Sequence, residues 1–111
     1  MNDSIPSDQA LPLLSLVTPT EGGISSRVLA RTAGGSLTLF AFDEGQGLRE
    51  HRSPHEALAV VNEGIVMFTV GPAKVRATPG TIVHMPANVP HDLEAIKAAR
   101  LLLVMLRGKT T

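Results

Sequence analysis

The chain has 111 residues, with ten basic and ten acidic side chains and no cysteine. This length predicts a single domain, and the lack of cysteine excludes disulfides, thiolate nucleophiles and sulfur-ligated metals. The balanced charge provides no field that attracts nucleic acid or an anionic membrane. Three phenylalanines, with no tyrosine or tryptophan, leave little on which bases can stack. We therefore expect neither a nucleic-acid partner nor a membrane partner.

The beginning of the chain is polar, and its apolar runs are short. Residues 1–12 are predicted to form a flexible N-terminal tail, and residues 13–111 a single barrel domain. No basic stretch precedes an apolar core at the N-terminus, so a secretory signal is not indicated. The longest apolar run, LLLVML at 101–106, is far below the roughly 20 residues that a membrane helix needs. The default expectation is a cytoplasmic protein.

After the tail, short segments rich in Val, Ile, Leu and Thr alternate with turns marked by Gly or Pro. The predicted strands, in chain order, are 13–18, 25–31, 36–42, 57–62, 65–70, 74–78, 81–85, 91–95 and 99–106. No window keeps a helical period over three turns, so we expect little or no helix. Many short strands with frequent turns predict an all-β sandwich or barrel.

Two further predictions come from the strand pattern. The strands 57–62 and 65–70 are separated by Glu63 and Gly64, and a glycine can supply the positive φ of a tight turn, so we predict a hairpin. The first of these strands and the run 101–106 are apolar on both alternating faces, whereas a solvated strand is polar on one face. We expect a second subunit to cover one face, giving a homodimer. The alternative is cover by the chain's own N-terminal segment.

Two segments follow gapped patterns of glycine, proline and histidine. In the first, residues 45–64, five residues separate the initial glycine from His51, and a glycine closes the segment. In the second, residues 80–95, five residues separate the initial glycine from Pro86, and His91 follows five positions later. In this order and with this spacing, the two segments resemble the two motifs of the cupin family.

The resemblance covers roughly residues 36–106. It implies an all-β, cupin-type double-stranded β-helix, that is, a jelly-roll barrel with little helix. Asn88 stands where the family's second motif has a glycine, and asparagine tolerates the left-handed conformation better than most residues. The resemblance also implies a divalent metal ion (Zn, Fe, Mn or Ni) in the barrel, and an oxygenase, an isomerase or a related enzyme that acts on a small molecule.

In family members that bind metal, the first motif supplies two histidines and a carboxylate or amide group, and the second motif supplies one histidine. Carried over by position, His51 and His91 are metal ligands. Ser53 stands in the place of the second histidine, and Ala57 in the place of the acidic or amide ligand. Half of the usual ligand set is therefore missing. Three hypotheses remain open: an incomplete metal site, a metal-free barrel that binds a small molecule, or a dimeric β-module with a closed core and no ligand.

Other side chains could complete the site. Alternate residues of a strand share a face, so His55 is expected on the same side as His51 and is the candidate third metal ligand. A bend at Pro54 would shift this phase by one residue and turn Glu56 inward instead. The sequence does not decide the orientation of His84. The candidate residues of a ligand pocket are Ser53, Glu56, Ala57 and His84.

Overall fold

The computed structural model describes residues 5–108 of the chain. Its elements are a short 3-10 helix, η1 (Leu13–Leu16), and seven strands, β1 (Ile24–Thr32), β2 (Gly35–Phe42), β3 (Gly47–His51), β4 (Glu56–Val70), β5 (Ala73–Ala77), β6 (Ile82–Met85) and β7 (His91–Leu106). All the strand pairs are antiparallel. The all-β prediction is confirmed. Within the described residues, no helix is long and apolar enough to cross a membrane.

Two long strands organise the barrel. β4 and β7 run antiparallel along most of their lengths, from the pair Glu56–Leu106 to the pair Val70–His91. The first half of β4 also pairs with β6 and its second half with β5. The first part of β7 also pairs with β3, and its last part with β2, which in turn pairs with β1. At one end of the barrel β2 and β6 pair with these two long strands, and at the other end β3 and β5 do, so both ends depend on β4 and β7.

The predicted hairpin at Gly64 is wrong. The predicted strands 57–62 and 65–70 are parts of one strand, β4, and the last two predicted strands are likewise one strand, β7. Gly64 does have a positive φ, of 81°, but the chain does not reverse there. The pairing register of β4 with β7 shifts on both sides of this glycine. A bulge in the ladder, and not a turn, therefore uses the left-handed conformation.

The first predicted strand is also wrong, because residues 13–16 form η1. In a 3-10 helix, side chains three residues apart lie on the same side. Leu13 and Leu16 have this spacing, and both pack against the outer face of the barrel. A second difference is β3, a strand over 47–51 that the strand pattern did not predict.

The apolar residues form two clusters, one on each side of the β2–β7–β4 sheet. The main core lies inside the barrel, and its largest fully buried side chains include Phe42, Phe68 and Met85. The second cluster lies on the outer face, where the N-terminal segment covers the sheet. Its members are Val17, Leu29, Leu39 and Ala41, with Ile5, Leu13, Leu16 and Leu102 packed against them.

Polar contacts also hold the N-terminal segment to the barrel. The backbone N–H of Ile5 donates to the carbonyl of Leu29 at 3.1 Å. Arg100 donates from Nη1 to the carbonyl of Leu14. The predicted tail, 1–12, thus lies partly against the barrel; its flexibility stays a prediction, and its first four residues, like the last three of the predicted domain, lie outside the described residues.

The N-terminal segment covers only part of the outer face. Leu58 and Val60 alternate with the buried Ala57, Ala59 and Val61, so their side chains point outward. Ile82 pairs with Val60 and is 61% exposed. With their neighbours across the strands, these residues form what we call the outer apolar patch, consisting of Leu37, Leu58, Val60, Ile82, Val104 and Leu106.

Candidate functional site

A cavity of about 70 Å³ lies inside the barrel. Its walls are mainly aliphatic and aromatic side chains that point inward from β2, β3, β4, β6 and β7. The apolar lining residues are Phe40, Phe42, Leu48, Ala57, Met85, Leu93, Leu101, Leu103 and Met105. The polar lining residues are His51, Ser53 and His91. The cavity is thus an apolar chamber with a small polar part.

The structure brings the two motif histidines together. His51 ends β3 and His91 begins β7, and the two residues are direct partners in the antiparallel pair. Their Nε2 atoms lie 3.1 Å apart. The ring centroids are 4.3 Å apart, with the ring planes at 71°. His91 is only 6% exposed, whereas His51 is exposed, so His51 marks the side of the cavity that opens to solvent.

Backbone carbonyls fix the tautomers of both rings. Nδ1 of His51 lies 2.8 Å from the carbonyl oxygen of Arg49, and Nδ1 of His91 lies 3.0 Å from that of Val89. A carbonyl oxygen only accepts hydrogen bonds, so each Nδ1 carries a hydrogen. When both rings are neutral, neither Nε2 then has a hydrogen, and two lone pairs face each other. A proton donor or a cation between the two Nε2 atoms relieves this repulsion.

The two imidazoles fit a shared metal ion, but as only two of its ligands. At metal–nitrogen distances of about 2.0–2.1 Å, adjacent ligand atoms lie roughly 3.0–3.4 Å apart, which includes the 3.1 Å between the Nε2 atoms. Ligating histidines commonly donate the other ring hydrogen to a backbone carbonyl, as both rings do. Among residues 5–108, however, no group of three or more His, Cys, Asp or Glu side chains is placed to hold a metal. Water or a small ligand would have to fill the other positions.

The remaining candidates divide between the cavity and its outside. Ser53 and Ala57 line the cavity with His51, although Ser53 lies in the loop that joins β3 to β4. His55 is half-buried but does not line the cavity. Its backbone N–H donates to Ser53 Oγ at 3.1 Å. The structure therefore does not bring His55 into a shared ligand set with His51 and His91.

Glu56 and His84 lie outside the cavity lining, in contrast to the pocket positions predicted for them. Because Ala57 points inward, Glu56 points outward. There its Oε1 accepts a hydrogen bond from His84 Nε2 at 2.6 Å, and its Oε2 accepts one from the backbone N–H of Ala87 at 2.8 Å. Both residues thus hold the wall of the barrel together from outside.

The turn between β6 and β7 shapes the site. Asn88 adopts the left-handed conformation expected for it, with φ 64°. Its N–H donates to the carbonyl of Ser53 at 2.7 Å, which ties the turn to the β3–β4 loop. The next residue, Val89, supplies the carbonyl that orients His91. This role is not visible in the sequence, because a backbone carbonyl does not depend on the type of side chain.

The apolar walls were also missed as functional residues. Phe40 and Phe42 both line the cavity, and their spacing of two residues within a predicted strand was a usable signal. Met85 and Met105 line it too. Their positions depend on which strands meet across the barrel, which a local pattern does not specify.

Comparison with known proteins identifies the family. Residues 38–105 match the family model of the cupin domain, so the chain belongs to the cupin family. A conserved Streptococcus pyogenes protein of unknown function superposes with a TM-score of 0.90 at 29% identity, covering 98% of this chain and 95% of that chain. No curated protein matches the sequence significantly.

Two more distant structures share the fold. A cupin superfamily protein from Desulfitobacterium hafniense DCB-2 has a TM-score of 0.88 at 23% identity, covering 96% of this chain and 97% of that chain. An RmlC-like cupin from Shewanella frigidimarina NCIMB 400 has a TM-score of 0.78 at 17% identity, with 98% and 94% covered. The cupin-type fold implied by the sequence motifs is thereby confirmed.

Proposed function

We propose that this chain is a small-molecule-binding cupin barrel in which His51 and His91 anchor the polar part of a ligand. The observation that carries the proposal is the meeting of two imidazoles, from different strands, at the wall of an apolar cavity. Burying polar groups in an apolar interior costs free energy unless they find partners. A ligand that hydrogen-bonds to the Nε2 atoms would supply those partners.

A thermal-shift screen of small metabolites tests this proposal. A ligand that binds only the native state raises stability by about 2.7 kcal/mol at a concentration one hundred times its Kd. The comparison variant is Ala57→Leu, whose longer side chain fills the cavity. Hits that stabilise the wild type but not this variant support the proposal. Hits that stabilise both equally, or the absence of any hit, contradict it.

A divalent metal ion held between the two histidines is the second candidate function. The facing lone pairs and the 3.1 Å separation of the Nε2 atoms favour it. Such an ion, whether Zn, Fe, Mn or Ni, would act as a Lewis acid on a bound ligand, which is the chemistry that a metal-dependent oxygenase or isomerase would need. In that case His51 and His91 hold the ion, and the apolar walls limit the access of water.

Metal analysis of protein purified without a histidine tag distinguishes the two candidates. The ion hypothesis predicts about one ion per chain after incubation with Zn²⁺ or Ni²⁺, and its loss in His91→Ala. His55→Ala is the matched control and keeps the ion. Uptake below about 0.1 ion per chain would refute the ion hypothesis and leave the metal-free barrel.

We also infer that two copies of the chain pair through the outer apolar patch, giving a homodimer. The N-terminal segment covers the neighbouring part of the same face, but within the described residues nothing covers the patch itself. A two-fold interface brings a surface patch against its own copy. The six patch side chains are uncharged, and the outward-facing Glu56 beside Leu106 is hydrogen-bonded to His84. A second copy therefore meets the patch with little like-charge repulsion, which supports it as the partner.

A further inference from the structure

The walls of the cavity restrict the chemistry of its ligand. Of the twelve residues that line it, only His51, Ser53 and His91 carry a polar side chain. The backbone groups of the surrounding strands are largely engaged in strand pairing. A ligand hydroxyl that is buried without a partner loses about 1–3 kcal/mol. A sugar or another polyol therefore finds too few partners, whereas a mainly apolar molecule does not need them.

The size of the cavity restricts the ligand further. At about 70 Å³, it is roughly half the size of the ~150 Å³ engineered cavity that binds benzene. Two of its walls are methionines, Met85 and Met105, whose unbranched side chains adapt to the shape of a bound group. The cavity thus suits an apolar body of about three carbon atoms, smaller than a benzene ring.

The polar side chains define the head group. Ser53 Oγ accepts the backbone N–H of His55, and within the described residues no acceptor is found for its own hydrogen, which is therefore available to a ligand. The Nε2 atoms of His51 and His91 have no hydrogen in the neutral tautomers, so they accept. A hydroxyl group matches both needs, because it donates to Nε2 and accepts from Ser53.

We propose that the ligand of this cavity is a short, mainly apolar molecule with one hydroxyl head group, such as 2-propanol or another small branched alcohol, and not a sugar. This inference rests on the proposed function, namely that the cavity binds a small molecule. It adds the chemical class: an apolar body among the side chains of β2, β4 and β7, and one protic oxygen at the histidine pair.

Matched probes test the proposal. 2-Propanol and acetone have the same three-carbon skeleton, but only 2-propanol has a hydroxyl hydrogen to donate; glycerol, also with three carbons, represents the polyols. Binding to the wild-type protein is followed by backbone amide chemical shifts in NMR titrations. We expect 2-propanol to bind at least tenfold more tightly than acetone, and glycerol not to bind. In His91→Ala and in Ser53→Ala the advantage of 2-propanol over acetone falls several-fold. Ser26→Ala, at an exposed serine on β1, leaves it unchanged.

The possible outcomes separate the proposal from the function on which it rests. If glycerol binds in place of 2-propanol, with shifts at the cavity residues, the ligand class is wrong and the binding function stands. Equal affinity for 2-propanol and acetone overturns the hydroxyl head group. If none of the three probes shifts a cavity residue, the ligand class is overturned, and the metabolite screen with Ala57→Leu decides the function. Leu103→Phe, a second cavity-filling variant, replaces Ala57→Leu if that protein does not fold.

Discussion

Glu56 and His84 are joined across the β4–β6 pair by a hydrogen bond of 2.6 Å between the carboxylate and Nε2. The same carboxylate accepts the backbone N–H of Ala87, in the turn before β7. That turn contains Val89, whose carbonyl orients His91. One outward-facing glutamate therefore supports the position of a histidine inside the barrel.

Replacing Glu56 with alanine is expected to destabilise the protein by about 1–3 kcal/mol, because two hydrogen bonds to a partly buried carboxylate are lost. Urea unfolding measures this loss. Glu56→Gln keeps an acceptor for Ala87 and should lose less. The control is Glu94→Ala, at an exposed position of β7, where a surface substitution changes stability by about 0.5 kcal/mol or less. Equal losses in Glu56→Ala and Glu94→Ala would show that the Glu56 carboxylate does not stabilise the fold.

Gly64→Ala tests the bulge in β4. A Cβ atom at this position would lie 2.2 Å from the carbonyl oxygen of Ala98, and φ is 81°. Gly80→Ala is the matched control, because its φ is 88° but nothing lies within 4 Å of the added atom. The strained φ alone costs on the order of 1–3 kcal/mol. We expect the Gly64 variant to lose clearly more stability than the Gly80 variant in urea unfolding. Equal losses would mean that the β7 backbone at Ala98 moves away from the added Cβ atom at little cost in free energy.

The outer apolar patch is tested by the oligomeric state. Ile82→Glu introduces a charge into the patch, and we expect it to convert a dimer into a monomer by light scattering coupled to size-exclusion chromatography. Val75→Glu is the control, because Val75 is an exposed valine on β5, outside the patch. A wild-type protein that is monomeric at high concentration, or an Ile82 variant that stays dimeric, contradicts the proposed interface.

Asp43 predicts a contribution to stability that depends on pH. Its carboxylate accepts the N–H of Gly22 at 2.6 Å and the N–H of Glu44 at 2.9 Å, and these bonds lower its pKa. A carboxyl group with a lowered pKa in the folded state stabilises the fold above its unfolded pKa, about 3.9. This stabilisation is lost as the pH falls through the lower folded value.

Urea unfolding between pH 2 and pH 6 measures the effect. Asp43→Asn should be less stable than the wild type at pH 6, and the difference should shrink toward pH 2. Glu44→Gln removes a neighbouring charge and serves as the control. A difference between Asp43→Asn and the wild type that stays constant over this range would contradict the assigned hydrogen bonds.

The sequence predicted what depends on spacing and alternation. The positions of His51 and His91 within two gapped motifs indicated the fold, and the motif positions of Ser53 and Ala57 correspond to residues that line the cavity. The left-handed conformation of Asn88 followed from its residue type. These features depend on residues that are close together in the sequence, so the local sequence is enough to predict them.

The failures have a common physical cause. A glycine with positive φ serves a tight turn or a bulge equally well, and only the partner strand decides between them, as at Gly64. Whether Glu56 or His55 enters the cavity depended on the conformation of the loop at Pro54. In the structure neither of them does. In each case a contact distant in sequence selects between two locally equivalent conformations.

The sharing of β4 and β7 by both ends of the barrel has a consequence for folding and binding. Their pairing joins residues far apart in sequence, so forming it means closing long loops, and the barrel is expected to fold slowly for its size. Neither end retains a complete sheet if the other melts. Unfolding should therefore be a single cooperative event, and a molecule bound near the two imidazoles should protect amides at the opposite end from hydrogen exchange as well.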